Sequence, residues 1–535
     1  MLRLAVAQFN AVAGDLTGNV ERIIQCAAKA KAHGADVLLT PEMALSGYPL
    51  GDWLRRPDFY RASASALADL AARVGDITLI VGHPAMVEGR CYNAASVIAN
   101  GFCTATYYKN NLAANDIFDV CRYFAAGASP CVVTIKGVRC GINIGSDIRD
   151  PGIFAATVAA GAELVLLLNA SPFGQGKRQA RCQTLGERAA ANAIPVVACN
   201  LVGGQDEWVF DGASVAIDAA QHVRMRLPQF EEALGVVDFA AGQIHSANLA
   251  EELPPLAEIW RALVLGVRDY VGKNGFPGVI LGLSGGMDSA LVLAIAADAL
   301  GADKVRAVMM PSPYTAPMSL DDARDMARRL GVGYDEIAIE PAMRTYDAML
   351  EPLFVGRPAD ATEENIQARI RGNLLMALSN KTGALVLTTG NKSEIATGYC
   401  TLYGDMAGGF ADIKDVYKTL VYRLAHYRNS LSAVIPDNII ARPPSAELRP
   451  GQVDQDALPP YETLDAIVTA YAEENRSPRE IIAAGLPEEA VRRVVRLLRL
   501  SEYKRRQGPV GIRITPQSFG SDWRYPVSNR YRDEF

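Results

Sequence analysis

Histidine is scarce in this chain, five in 535 residues, so an enzyme built on histidine acid–base chemistry has little to work with. No C-x-x-C pair occurs, and no Cys/His cluster has zinc-site spacing. With an odd count of nine cysteines, this argues against both a structural metal and a disulfide framework. Eight of the nine precede residue 200. Long apolar runs are also missing: the strongest, Leu164 to Leu168, is strand-sized, far short of the ~20 residues that cross a bilayer. The opening MLRLAVAQFN lacks signal-peptide flanks and reads as a strand, so the expected location is the cytoplasm, with no membrane partner. Positive charge is not in excess. Lys plus Arg at 53 against Asp plus Glu at 59 gives −6, which repels a nucleic-acid backbone over most of the surface. The local exception is Val491 to Phe535, with eleven Lys/Arg and four Asp/Glu; it reads first as a solvated helix and tail, with phosphate-bearing ligands or a partner subunit as the other readings. Internal repeats and low-complexity tracts are absent.

What remains is ordinary globular composition, 50% apolar and 21% charged. A length of 535 residues implies more than one buried core. The first 245 residues alternate strand-like and helix-like segments: LRLAVAQF, an amphipathic stretch from Asn19 to His33, DVLLT, ITLIVGHP, ATYYK, a helix near Pro151 to Ala160, LVLLLN and PVVACN. Leu253-Pro254-Pro255 then reads as a linker, placing a boundary at about 245–260 and domains at 1–250 and 256–535. Beyond it, GVILGL, SGGMDS, ALVLAIAADALGA and KVRAVMMP make strand, Gly-rich turn, helix and strand. That is a βαβ unit and predicts a parallel sheet.

Ser284-Gly285-Gly286-Met287-Asp288-Ser289 sits where strand feeds helix. Its glycines let the backbone turn so that loop N–H groups point outward beside the positive end of the helix dipole, a cradle for an oxyanion such as pyrophosphate. Asp288 is repelled by bare phosphate but suits a Mg²⁺ that bridges to it. Neither a Walker A loop nor a G-x-G-x-x-G opening a helix occurs. Gly282-Leu283-Ser284-Gly285-Gly286 also matches the G-x-S-x-G nucleophile elbow, but the one histidine after Ser284 is His426, in a segment that reads as helix surface. A plain tight turn accounts for the glycines and leaves the clustered Ser, Asp and Ser unexplained.

SGGMDS resembles the pyrophosphate loop of N-type ATP pyrophosphatases, which adenylate a substrate. With EENIQARIRGNLLMALSN, VLTTGNKSEIATGYCTLYGDMAGGFADIKDVYKTLVYRL, PPSAELRPGQVDQDALPPYETLDAI and EYKRRQGPVGIRIT, residues 256–535 are similar to NAD⁺ synthetases. The resemblance implies a Rossmann-like parallel-sheet domain, a ligase that activates the carboxylate of nicotinic acid adenine dinucleotide with ATP and Mg²⁺, and a homo-oligomer. Ser284, Gly285, Gly286, Asp288 and Ser289 fall on its phosphate loop, Asp288 and Glu394 on its Mg²⁺ carboxylates, and Arg371, Thr389 and Lys418 on positions that touch ATP. Asp405 falls near its nicotinate end. Gly404, Gly408 and Gly409 suggest a flexible loop that closes over the adenylate.

In the first half, LLTPEMALSGYP places Glu42 at a strand end and ATYYKNNL does the same for Lys109. With GINIGSDI, NASPFGQGKR and NLVGGQDEWVFDGASVAID, this region is similar to the nitrilase-like amidase domain of glutamine-dependent NAD⁺ synthetases, which implies an αββα sandwich. That family uses a Glu base, a Lys that stabilises the oxyanion and a Cys nucleophile that frees ammonia from glutamine. Glu42 and Lys109 match the first two. At the third, in the register of G-V-L-I-C-E-D, the chain reads Gly141-Ile142-Asn143-Ile144-Gly145-Ser146-Asp147, so glycine stands where the cysteine belongs. Ser146 replaces the acidic neighbour, and Val120 stands at the place of a second glutamate. Cys140 lies five residues before Gly145, on the opposite strand face and roughly 16 Å away. Cys121, beside Val120, is the better stand-in. The expectation is therefore an NAD⁺ synthetase that takes free ammonia, with its first domain a pseudo-glutaminase kept for folding, packing or regulation. The alternative is a working glutaminase that uses a residue such as Cys121.

Overall fold

The computed structural model describes every residue except 114–117 and 246. It divides between Pro254 and Pro255 into two units.

The first unit holds strands β1 (Leu2–Gln8), β2 (Val37–Leu39), β3 (Thr78–Val87), β4 (Arg90–Ala99), β5 (Phe102–Tyr108), β6 (Cys131–Ile135), β7 (Val138–Ile144), β8 (Leu164–Asn169), β9 (Val196–Asn200), β10 (Val202–Gln205), β11 (Trp208–Asp211), β12 (Val215–Ile217), β13 (Val223–Arg226), β14 (Ala233–Ala240) and β15 (Gln243–Ile244). Its helices are α1 (Leu16–Ala32), α2 (Pro57–Arg73), α3 (Val120–Tyr123), α4 (Pro151–Ala159) and α5 (Lys177–Ala191). One sheet runs β15-β14-β1-β2-β3-β4-β5, a second β13-β12-β9-β8-β7-β6, and β10-β11 form a ribbon.

The period-2 alternation of strand side chains sorts these elements into layers. Leu4 and Val6 of β1 meet Ile142 and Ile144 of β7 and Leu164, Leu166 and Leu168 of β8 between the sheets. The alternate residues Ala5 and Ala7 face Val20, Ile23 and Ala27 of α1. On the other outer face Val165 and Leu167 pack on Phe154 of α4 and Leu185 of α5. The result is the αββα sandwich. Because β8 is buried on both faces, its sequence is an unbroken apolar run rather than an alternating one.

The second unit contains α6 (Pro255–Lys273), β16 (Val279–Gly282), α7 (Met287–Leu300), β17 (Val305–Met309), α8 (Pro317–Leu330), β18 (Gly333–Glu336), α9 (Glu340–Phe354), α10 (Ala361–Thr382), β19 (Leu385–Leu387), α11 (Lys392–Thr397), α12 (Lys418–Leu431), α13 (Asp437–Ala441) and α14 (Tyr461–Val468), with further short helices beyond. The sheet order is β18-β17-β16-β19, and every pairing is parallel. With β16 central, the turn into α7 opens at the carboxyl edge of the sheet, where strand order reverses and ligands bind in open α/β folds.

Candidate active sites

In the second unit, β16 delivers Ser284–Ser289 to the start of α7. Gly285 has φ +75°, and a Cβ there would lie 2.5 Å from the Ser319 carbonyl oxygen, so only glycine fits. The Ser284 and Ser289 hydroxyls hydrogen-bond at 3.0 Å. Ser284 Oγ also accepts the Gly286 N–H at 3.1 Å, and Ser289 Oγ donates to the Gly286 carbonyl at 3.0 Å. Ser284 is therefore committed to shaping the loop, and His426 lies on the exposed face of α12, so no hydrolase triad forms. The N-cap of α7, Gly286, has no side-chain cap, which leaves the helix's first N–H groups for an anion.

One cavity gathers Ser284, Gly286, Asp288, Ser289, Arg371, Thr389, Glu394, Asp405 and Lys418. The buried Lys418 ammonium is bonded to Asp288 and lies 3.8 Å from Glu394. Burial works against its charge, yet Asp288 and Glu394 hold its pKa above the ordinary lysine range. Burial, reinforced by the charge of Asp288, pushes Glu394 well above the carboxylate range. Arg371 donates to the Met310 carbonyl at 2.9 Å, and burial lowers its pKa to about 10. Asp405 accepts the Thr401 N–H at 2.6 Å, and burial raises it to about 6.

In the first unit, the segments leaving β2, β5, β7 and β8 converge. Glu42 Oε1 accepts Lys109 Nζ at 2.8 Å and Asn93 Nδ2 at 2.6 Å, while Oε2 accepts the Ala170 N–H at 3.2 Å. Glu42 and Lys109 are both about 3% exposed. Gly145 follows β7 with φ +50°, and a Cβ built on it would lie 2.5 Å from Glu42 Oε2 and 2.9 Å from Lys109 Nζ. A side chain at position 145 would thus point directly at this base and this cation. Next to it, Ser146 Oγ donates to the Asn111 carbonyl at 2.6 Å. Cys140 lies in the inter-sheet core, where burial raises its thiol pKa to about 12. Cys121, in α3, is exposed and donates to the Leu112 carbonyl at 3.1 Å. Val120 is buried among the apolar side chains on the α1/α2 side of the first sheet.

A carbon-nitrogen hydrolase family model matches residues 3–248 and an NAD synthase model residues 259–508. The glutamine-dependent NAD(+) synthetase of Acinetobacter baylyi is 48% identical over 99% of both chains, and that of Thermotoga maritima is 43% identical over 99% of both. The chain belongs to the glutamine-dependent NAD⁺ synthetase family. The solved structure of the Acinetobacter baumannii synthetase, in complex with ADP, is 44% identical, covers 98% of each chain and superposes with a TM-score of 0.81. A synthetase from Cytophaga hutchinsonii, 22% identical, shares the fold at a TM-score of 0.86, covering 99% of this chain and 98% of that one.

Gly404, Gly408 and Gly409 are closely packed. A Cβ on Gly404 would meet Ala368 at 2.8 Å, one on Gly408 Thr388 at 2.6 Å, and one on Gly409 Leu385 at 2.4 Å. These glycines let the segment pack against α10 and β19, so close approach explains them.

Sequence reasoning also missed several residues. Asn391 donates to Asp288 at 3.0 Å while its Oδ1 caps the Glu394 N–H at 3.0 Å, and the Asn-x-x-Glu spacing was a readable capping-box signal. Asp454, buried and accepting the Tyr461 hydroxyl at 2.7 Å, lines the same cavity. In the first unit Asp147 accepts the N–H groups of Asn110 and Asn111 at 3.1 and 2.7 Å and the Tyr107 hydroxyl at 2.8 Å, so it fixes the backbone just after Lys109. Nothing local in the sequence marks Asn93, whose partner Glu42 is 51 residues away.

Proposed function

We propose that this family member forms NAD⁺ by ATP-dependent amidation of nicotinic acid adenine dinucleotide and takes its nitrogen from free ammonia, the first unit being a pseudo-glutaminase. The observation that carries the ammonia reading is Gly145. A Cβ built on it would point at the Glu42–Lys109 pair, and glycine has no side-chain atom with which to attack an amide. Glu42 is instead held in a closed set of hydrogen bonds to Lys109, Asn93 and the Ala170 backbone. The relatives carry glutamine dependence in their names; the departure proposed for this chain lies at Gly145, with Ser146 and Val120 as further differences.

In the second unit the substrate carboxylate attacks the α-phosphorus of ATP, the bond to the bridging β-phosphate oxygen breaks, and pyrophosphate leaves. Ammonia then adds to the acyl carbon of the adenylate, loses a proton, and AMP departs to leave the amide. The protein's task is positioning and charge. The Ser284–Ser289 loop and the open start of α7 hold pyrophosphate oxygens, and Lys418 and Arg371 offset phosphate charge. Thr389 lines the ATP side, and Asp405 borders the dinucleotide's nicotinate end. Asp288 and Glu394 fit a hard divalent cation, being oxygen donors in one cavity where burial and the charge of Asp288 disfavour the ionised form of Glu394. Among the described residues no group of three His, Cys, Asp or Glu side chains is arranged to hold a metal, so Mg²⁺ would complete its shell with substrate phosphates and water. When bound, it would neutralise charge building on the departing pyrophosphate. No helix among the described residues is long and apolar enough to cross a membrane.

The test compares NAD⁺ formation by the purified chain given ATP, Mg²⁺ and the dinucleotide with either ammonium salt or glutamine. Activity with ammonium and none with glutamine is expected. Robust glutamine-driven synthesis would overturn the ammonia reading, and labelling of Cys121 with loss of that synthesis would point to the substitute nucleophile.

A further inference from the structure

Two of the cavity's charged groups sit near helix starts: Glu394 on α11 and Lys418 at the first residue of α12. What fixes the distance between them is buried behind the cavity. The N-cap of α12, Tyr417, offers no side-chain cap. Its first N–H groups are satisfied from elsewhere: the Lys418 N–H donates to Ser393 Oγ at 2.9 Å, and the Thr419 N–H to Asp465 Oδ2 at 3.0 Å. Thr419 Oγ1 donates to the same Asp465 oxygen at 2.8 Å, and Ser393 Oγ donates to Asp465 Oδ1 at 2.5 Å.

We infer that Asp465, on α14, is a positioning residue for the adenylation site, its two oxygens locking the starts of α11 and α12 together so that Glu394 and Lys418 meet Asp288 at working distance. The inference rests on the proposed reading of those three residues. Asp465 is 6% exposed, and among the described residues no Lys or Arg pairs with it. A lone buried carboxylate is costly, and the donors that offset it here are the helix starts themselves. Each residue it holds is the immediate chain neighbour of a cavity residue, Ser393 beside Glu394 and Thr419 beside Lys418. The preceding residue is pinned too: Lys392 Nζ lies 2.7 Å from Asp415, from Glu473 and from Thr515 Oγ1. Two successive buried side chains of α11 thus anchor the element while the third reaches the cavity.

The experiment compares full-length wild type with Asp465→Ala, Asp465→Asn, Ser393→Ala, the Ser393→Ala/Asp465→Ala double variant and Leu464→Ala. Leu464→Ala removes core volume from the same helix and controls for simple destabilisation. Melting temperature, binding of Mg·ATP by calorimetry, and the KM for ATP and half-saturating Mg²⁺ with ammonium as donor are measured. Supporting residues of metal sites typically matter 10–100-fold. Asp465→Ala and Ser393→Ala are expected to weaken Mg·ATP binding about 10-fold or more and to raise half-saturating Mg²⁺ in parallel. Asp465→Asn, which keeps an acceptor for Thr419, should fall between. The double variant should be no worse than the worse single one, because both break one bridge. Leu464→Ala should lower the melting temperature while leaving both constants in place. Variants that bind Mg·ATP like wild type, with only a lower melting temperature, would overturn the inference, as would a wild type that binds no Mg·ATP. If Asp465→Ala does not fold, Ser393→Ala decides. A wild type that binds Mg·ATP but makes no NAD⁺ would count against the functional reading alone, and the binding series would still decide the role of Asp465.

Discussion

Replacing Gly145 by alanine adds one methyl group at the most informative position of the first unit. The new Cβ meets Glu42 Oε2 at 2.5 Å and Lys109 Nζ at 2.9 Å, both closer than such atoms approach. Position 145 also has φ +50°, where a side chain costs about 1–2 kcal/mol. Pushing Glu42 aside strains its hydrogen bond to the Ala170 N–H, and bonds to charged groups are worth about 1.5–3 kcal/mol. The sum is about 2.5–5 kcal/mol. For a unit of this size each kcal/mol moves the midpoint by about 2–4 °C, so the first unit should melt roughly 5–20 °C lower. Circular dichroism or calorimetry reads this directly, and ammonium-driven NAD⁺ formation at 25 °C should hardly change. In a Glu42→Gln/Lys109→Met background, where the charged contacts are gone, the cost should shrink toward the backbone part alone, about 1–2 kcal/mol. A Gly145→Ala protein that melts within 2 °C of wild type (about 1 kcal/mol or less) would refute the claim that position 145 faces the Glu42–Lys109 pair.

Other outcomes follow from the same geometry. Glu42→Ala alone removes the buried carboxylate paired with Lys109 and should destabilise the first unit by about 3–5 kcal/mol in denaturant melts, whereas the Glu42→Gln/Lys109→Met double variant should recover most of that. Rebuilding the amidase constellation as Gly145→Cys with Ser146→Glu and Val120→Glu should yield measurable glutamine hydrolysis if the register is right; a thiol that is present but inert would count against it. Lys418→Met removes the cation between Asp288 and Glu394, and ammonium-dependent NAD⁺ synthesis should fall at least ~100-fold with the fold retained by circular dichroism. Asp412 is fully buried with Oδ2 unpartnered, and burial raises its pKa to about 8. The folded protein therefore binds this proton more tightly than the unfolded chain, so the contribution of Asp412 is fully present below pH ~4 and is lost as pH rises toward 8. Asp412→Asn should flatten that slope and be the more stable protein at pH 7, by about 2–4 kcal/mol; equal pH profiles would show that the side chain finds a donor.

The amino-acid sequence by itself determined the class of each unit, because burial leaves a periodic trace: alternation where a strand has one buried face, an unbroken run in β8, and a Gly-rich turn between β16 and α7. It also showed glycine at position 145, since an absent side chain is legible in the sequence. Asp288, Glu394, Arg371 and Lys418 were legible as candidates because their motifs are contiguous. Only the tertiary structure decided what those residues do to one another. Lys418 lies 130 residues from Asp288, and Coulomb energy depends on distance in space. The same holds for Asn93 on Glu42 and Asp465 behind Glu394, single side chains that carry no local signal. The glycines after Tyr403 mark the limit of reading from composition. Glycine serves both freedom and closeness, and only the tertiary structure shows Ala368, Thr388 and Leu385 packed close against them.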